Sequence, residues 1–450
     1  MNNIDKDILR LAIPSIVSNI TVPLLGLVDL AIAGHLASAN GSGITGQTYI
    51  SAISVGSMIF NLIYWLMGFL RMGTSGMTGQ AFGAGDSQGI RLLLRRSLTL
   101  SIAIAAVFLL LQWPLREGAL AIIHPSKDVW PLASTYFNIV IWGAPAMLSL
   151  YSLNGWFIGM QNTRVPMIVA LAQNVINIIA SLSFVYGMGM KVEGIALGTL
   201  VAQWSGVIIA LWFAASLLPH KKKEEKVKDF PWSRFFTVDR DIFLRTVCLV
   251  AVNLAFTSAG ARQGDMMLAV NTLLMTFYTL FSYVMDGFAF AGEALAGRYY
   301  GARDMHGLYT VINALLRHWG IGFAALFTII YAVLGHPLLH LLTNDDAVIA
   351  YAQQFFPWAC AIPLAGMAGF VYDGIFIGLT ATRGMLQSSF ISSAAFFTIL
   401  LASLALPHGS HPQMVNHILW AAFIVYLAMR GTMQHIIIKR HPPLERKEGK

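Results

Sequence analysis

LRLAIPSIVSNITVPLLGLVDLAIAGHL, residues Leu9–Leu36, is built largely from apolar and small residues and carries one carboxylate, Asp29. About 20 such residues in helical form cross the hydrocarbon core of a bilayer, so the stretch reads as a membrane helix. A carboxylate there costs about 2.5–3.5 kcal/mol on insertion scales and by default marks an ion or proton pathway. Asp29 is for that reason the leading candidate functional residue. Two prolines, Pro14 and Pro23, precede it. Pro23 lacks an N–H, frees the carbonyl of Asn19 and weakens the helix six residues before the acid. The plain alternative is that membrane helices tolerate prolines without any switching role.

The rest of the chain builds a membrane protein around this helix. Of 450 residues, 56% are hydrophobic and 11% charged, against about 25% charged in a soluble domain, and a soluble fold is excluded. Twelve spans are predicted, near 9–33, 48–70, 92–113, 130–152, 165–187, 193–217, 242–261, 266–289, 309–334, 348–372, 384–406 and 414–438. The expected fold class is an all-α polytopic membrane protein. With the N-terminus taken as cytoplasmic, 24 of the 29 Lys and Arg fall in inside segments. Four (Arg116, Lys127, Lys191, Arg262) fall outside, and Arg71 sits near the inner end of span two. The excess of inside positive charge puts both termini in the cytoplasm, and helical spans point to an inner or plasma membrane rather than an outer-membrane barrel. The net charge of +8 follows from this topology and the anionic inner leaflet. Membrane lipid is therefore an expected partner and nucleic acid is not. The first apolar run is too long for a signal-peptide core. Cys248 and Cys360 fit neither a disulfide framework nor a metal site, and no nucleotide-binding loop is visible, so no cofactor or resident metal is expected and an ion gradient must supply the energy.

Self-similarity organises the chain. QAFGAGD (Gln80–Asp86) returns as RYYGARD (Arg298–Asp304), and NGWFIGMQNTR (Asn154–Arg164) returns as DGIFIGLTATR (Asp373–Arg383), at offsets of 218 and 219. Two matches at nearly one offset indicate an internal repeat. The basic segment Pro219–Asp241 divides the repeats, giving an N-terminal six-span lobe (1–218), a cytoplasmic linker (219–241) and a C-terminal six-span lobe with a cytoplasmic tail (242–450). Six spans per half make the repeat parallel, which places a substrate site between halves that rock to give alternating access. The loop motifs themselves are expected chiefly to close tight turns and pair charges.

ITVPLLGLVDLAIAGHL (Ile20–Leu36), FLRMGTSGMTGQAFGAGD (Phe69–Asp86), VMDGFAFAGEALAGRYYGARD (Val284–Asp304) and YDGIFIGLTATR (Tyr372–Arg383) together resemble the multidrug and toxic compound extrusion (MATE) family, most nearly its DNA-damage-inducible F branch. The resemblance runs the length of the chain. It implies two six-helix lobes around a V-shaped cleft and an antiporter exporting organic, often cationic compounds against inward H+ or Na+. It also implies a cation site around the first-helix carboxylate, here Asp29, with a bend at the position of Pro14. The family's span-five pattern retains Asn174 and Asn177 but has Ser181 where the branch usually carries aspartate, and Thr199 matches the span-six hydroxyl. The Na+-type acids of spans seven and ten are not reproduced: the predicted span seven has none, and span ten has only Asp373 beside a loop motif.

Burial disfavours a charged carboxylate, so Asp29 would be neutral when sealed and charged when wetted or paired with a cationic substrate. Mutually exclusive binding of a proton or a substrate cation is the simplest antiport scheme, with Asn177, Ser181 and Thr199 as neutral hydrogen-bond partners and one proton per cycle. The plain alternative for Asp29 is a structural hydrogen bond to a neighbouring helix, which its depth and the family resemblance disfavour. Asp286, Glu293 and Asp373 lie towards the cytoplasmic ends of spans eight and ten, where pairing with Arg71, Arg298 or Arg383 would close an inner gate. Asp373 keeps a substrate-site reading because its repeat mate is Asn154. Tyr278, Phe281, Tyr283 and Met285 are candidate cleft residues, since methionine adapts to varied ligands and aromatic faces attract organic cations. The expected partners are small organic cations or amphipathic drugs and H+ or Na+, on a monomeric protein. Asp29, Asn177 and Thr199 could also coordinate sodium through oxygen. A lipid-linked sugar flippase would require a cluster of cationic side chains within the spans, where only Arg71 is apparent. The loop at Gly79–Asp86 does not fit the major facilitator signature, no paired catalytic groups suggest an intramembrane enzyme, and a receptor would not require the repeat.

Overall fold

The computed structural model describes residues 3–36, 45–218, 232–404 and 412–440. The side chains of residues 22–25, 234, 403, 404 and 412 lie outside the described set, and Pro23 is among them. Among the described residues, twelve helical spans are long and apolar enough to cross a membrane. They are α1 (Asn3–His35), α2 (Gly46–Gly83), α3 (Ser87–Leu110), α4 (Val129–Gly159), α5 (Arg164–Gly187), α6 (Val192–Leu217), α7 (Phe235–Ala261), α8 (Asp265–Gly301), α9 (Met305–Leu342), α10 (Asp346–Gly378), α11 (Thr382–Ala402) and α12 (Gln413–Arg440). Each predicted span is found. The helix containing α7 begins at Trp232, so residues 232–241, read from sequence as linker, form its first turns. α1 is helical throughout, Pro14 included.

The chain divides into two compact units, Val17–Pro231 and Met1–Ile16 with Trp232–Lys450. The first ends of α1 therefore belong to the unit of the C-terminal spans, and Asp29 to the other.

Both repeated loops fold as the same backbone device. After α2, Asp86 N–H reaches Ala81 O at 2.9 Å and Gly85 N–H reaches Phe82 O at 3.1 Å. After α8, Asp304 N–H reaches Tyr299 O at 2.9 Å and Arg303 N–H reaches Tyr300 O at 3.1 Å. This pairing closes a helix with a left-handed residue, and Gly85 (φ 68°) and Arg303 (φ 58°) are those residues. Asp86 and Asp304 then cap the next spans, accepting from Gly89 N (2.7 Å) and Gly307 N (2.9 Å). The second motif repeats equally, with Gln161 (φ 61°) and Thr380 (φ 49°) at matched places. The turn-closing role expected of these loops is what their geometry shows.

The same repeat governs packing. A Cβ at Gly155 would lie 2.2 Å from the Arg71 carbonyl oxygen, and one at the matched Gly374 would lie 2.0 Å from the Ala289 oxygen. One turn on, Gly159 meets Ser75 O and Gly79 N, and Gly378 meets Glu293 O and Gly297 N. α4 thus crosses α2, and α10 crosses α8, backbone against backbone. Small residues serve this purpose in membranes, where helix association depends on close van der Waals packing.

Candidate functional site

Asp29 sits on α1 with 6% of its surface exposed. α5 and α6 bring it neutral partners. Thr199 Oγ1 on α6 donates towards Asp29 Oδ2 at 3.4 Å and towards its own helix at Ile195 O at 3.2 Å. Asn177 on α5 is fully buried, and its amide lies between Asp29 and Thr199. The hydrogen-bonding groups around it orient the amide: Nδ2 donates to Asp29 Oδ1 at 3.2 Å, while Oδ1 accepts from Thr199 Oγ1 (3.2 Å) and Thr199 N (3.3 Å). No basic side chain among the described residues pairs with Asp29. A buried carboxylate held only by neutral donors is costly as an anion, and binding a proton or a cation relieves that cost.

Tyr136 on α4 completes the group, facing Thr199 and Asp29, and its hydroxyl accepts from Ser57 on α2 at 3.4 Å. Gly56 leaves the space for its ring, since a Cβ there would fall 2.4 Å from Tyr136 Cδ1. Sequence reading missed Tyr136, because a tyrosine among 14 tyrosines carries no local signal.

The other predicted residues separate. Asn174 does not join Asp29: its Nδ2 donates to the Thr21 carbonyl at 3.0 Å, tying α5 to the α1 backbone two residues before Pro23. Ser181 is buried and makes no hydrogen bond with Asp29. Its Oγ is unpartnered and packs where a Cβ on Gly198 would come within 2.1 Å, at the α5–α6 crossing. The expectation of Ser181 as a hydrogen-bond partner is thus corrected. The buried Oδ1 of Asn154 on α4 has no hydrogen-bond partner.

In the C-terminal unit, Phe281 and Met285 are fully buried. Phe281 packs against Phe327 and Phe370 at 5.4 and 6.0 Å, so these two are core rather than the expected cleft surface. Tyr278 is half-buried on Phe370 and Phe423. Asp373 pairs with neither Arg71, Arg298 nor Arg383. Its Oδ2 accepts from Arg245 of α7 and lies 3.7 Å from Arg430 of α12, while its Oδ1 accepts from Gln434. Arg430 lies over the Phe370 ring at 5.1 Å, and Asp286 stands within electrostatic range of Arg245. Arg245 and Arg430 were counted from sequence as cytoplasmic charges at span ends. They are buried, because each lies inside a helix that begins earlier or continues later than its apolar core. Arg71 and Asp286 are half-buried and Glu293 fully buried, and Arg298 lies 3.8 Å from Asp7 of α1.

Known proteins share this sequence and fold. The MatE family profile matches residues 14–183 and 242–403. DNA damage-inducible protein F of Escherichia coli (strain K12) is 36% identical over 97% of this chain and 92% of its own. Multidrug export protein MepA of Staphylococcus aureus (strain NCTC 8325 / PS 47) is 21% identical over 89% of this chain and 87% of its own. Among solved structures, a mutant of the Vibrio cholerae MATE transporter VcmN superposes with a TM-score of 0.82 at 17% identity, covering 98% of both chains. A MATE protein in a straight conformation gives 0.81 at 18% identity, covering 98% of this chain and 97% of its own. With a family match over most of its length and a full-length relative above 30% identity, the chain belongs to the MatE family of membrane transporters.

Proposed function

We propose that this transporter, which is not an enzyme, exports organic cations and amphipathic drugs across the inner or plasma membrane in exchange for protons, with both termini cytoplasmic and Asp29 as the coupling acid. The observation that carries this reading is the environment of Asp29: a 6% exposed carboxylate on an intramembrane helix, contacted by Thr199 and Asn177 but, among the described residues, by no basic side chain. Such a group gains by taking up a proton when sealed and by releasing it for a substrate cation when opened. The relative named as a multidrug export protein supports the substrate class. Drug-named relatives and an acid with neutral partners favour antiport over a sugar-lipid flippase, whose pyrophosphate would need free cationic groups. Arg245 and Arg430 are both buried on Asp373.

The oxygen set of Asp29, Thr199 and Asn177 also suits sodium, and one experiment separates the two ions. A fluorescent dye cation is added outside inside-out vesicles, where export appears as uptake into the lumen, under a pH gradient alone or a sodium gradient alone. Export driven by the pH gradient and lost in Asp29→Asn is the expected result. Export driven only by sodium overturns the proton reading, and unchanged export by Asp29→Asn overturns the role of the acid.

A further inference from the structure

We propose that the C-terminal spans hold an anion site centred on Arg430, which takes the carboxylate of an amphipathic aromatic acid. The proposal goes beyond the exchange assigned to Asp29 and does not rest on it, since every residue it uses lies in the other compact unit.

Helix periodicity lays the site out. Tyr426, Arg430 and Gln434 recur at four-residue steps on one face of α12. Phe370 and Asp373, three residues apart on α10, meet that face. Gly369 is what lets the guanidinium lie against α10, because a Cβ there would fall 2.8 Å from Arg430 Nε and 3.3 Å from its Nη2. Arg245 enters from α7 and donates to Asp373 Oδ2.

A buried ion cluster that serves only to join helices satisfies its members, because each buried donor or acceptor left unpaired costs its lost hydration. This cluster does not. Both oxygens of Asp373 are taken, by Arg245 and Gln434. The side chain of Arg430 is 2% exposed and stands 3.7 Å from Asp373 Oδ2, beyond hydrogen-bond reach. Its Nε is buried without a partner, and among the described residues its guanidinium donates no hydrogen bond. Arg245 Nε, Gln434 Oε1 and the Tyr426 hydroxyl are also buried and unpartnered. Arg430 and Tyr426 both stand within electrostatic range of Arg245. Two N–H groups therefore need an acceptor where a hydroxyl can donate as well. Guanidinium groups stay charged in proteins, so the pair repels a metal ion or a drug cation. A carboxylate suits it, because an arginine fork holds one through two parallel hydrogen bonds. The surroundings supply the aromatic preference. Arg430 lies over the Phe370 ring at 5.1 Å, and the half-buried Tyr278 leans on Phe370 and Phe423 at 6.2 and 5.3 Å. Asp286, two turns along α8 from Tyr278, adds a negative charge within range of Arg245, which favours a ligand with one carboxylate over one with two.

Isothermal titration of the full-length protein in detergent with naphthoate, against its neutral isostere naphthamide, tests this without any variant. The protein should bind naphthoate saturably and about tenfold or more tighter than naphthamide, the weight of one hydrogen bond to a charged group. Arg430→Gln should abolish that preference, and Arg430→Lys, which keeps the charge but not the planar fork, should retain only part of it. Equal affinity for acid and amide, or no saturable binding of naphthoate, overturns the site whether or not the variants fold. A preference for the acid that survives in folded Arg430→Gln overturns it too. Each of these results leaves the coupling role of Asp29 standing, which is read from pH-driven export of a dye cation.

Discussion

The C-terminal ion cluster makes a prediction with an unusual order of severity. Two guanidinium groups share one carboxylate, and the side chains of Arg245, Asp373 and Arg430 are 8%, 8% and 2% exposed. Asp373→Asn takes the shared carboxylate from both buried cations, leaving Asp286 only within electrostatic range of Arg245, and removing one member of a buried ion pair costs about 3–5 kcal/mol. Arg245→Gln instead leaves Asp373 facing Arg430, 3.7 Å away, a charge-balanced pair. Its cost is the lost charge-assisted hydrogen bond, about 1.5–3 kcal/mol, reduced as Arg430 moves closer. The double variant has one stranded cation instead of two and should lie above Asp373→Asn, with a coupling of about 0.5–3 kcal/mol between the two sites. Arg240→Gln is the control, since Arg240 is 60% exposed beside Asp241 and exposed pairs are worth about 0–1 kcal/mol. Apparent melting midpoints of purified protein in detergent, followed by tryptophan fluorescence, should fall in the order Arg240→Gln, Arg245→Gln, double variant, Asp373→Asn. A midpoint for Arg245→Gln at or below that of Asp373→Asn would refute the reasoning from surplus positive charge.

Three further outcomes follow from the geometry. Gly374→Ala places a methyl 2.0 Å from the Ala289 oxygen and should cost about 1–3 kcal/mol by overpacking. Gly322→Ala, with nothing within 4 Å, should be neutral or stabilising by up to about 1 kcal/mol, and comparison of their melting midpoints checks both. Asp86→Ala and Asp304→Ala each remove a helix cap and should lose about 0.5–2 kcal/mol, with similar losses at the two sites because the caps are structural repeats; a loss at one site alone would count against equivalence. Thr199→Val keeps the shape of the side chain and removes the donor to Asp29. The long 3.4 Å contact puts the expected loss of pH-driven export near the lower end of a charge-assisted bond, about tenfold, while the amount of protein in the membrane should be unchanged.

The spans and the repeat were legible in the chain because both are local or periodic. A bilayer demands about 20 apolar residues per crossing, and composition alone reports that. The loops repeat glycine, aspartate and arginine at one offset, and the structure turns those letters into matched left-handed residues and caps. Asp29 was legible too, because an acid is conspicuous against an apolar background. What the acid touches was decided only by tertiary packing. Asn174 and Asn177 stand three residues apart on one helix, yet one is turned to the Thr21 carbonyl and the other to Asp29, a difference set by how α5 crosses α1 and α6. Ser181 is one turn further along the same face and meets the Gly198 contact instead. Tyr136, Arg245 and Arg430 were invisible for the same reason. An aromatic ring has no signature among many, and an arginine near a predicted span end looks cytoplasmic until three helices close over it. Sequence by itself determined where the chain crosses the membrane and which acid it carries there. The fold alone decided the neighbours, because hydrogen bonds and ion pairs between helices depend on crossing angles and facing sides that no single span encodes.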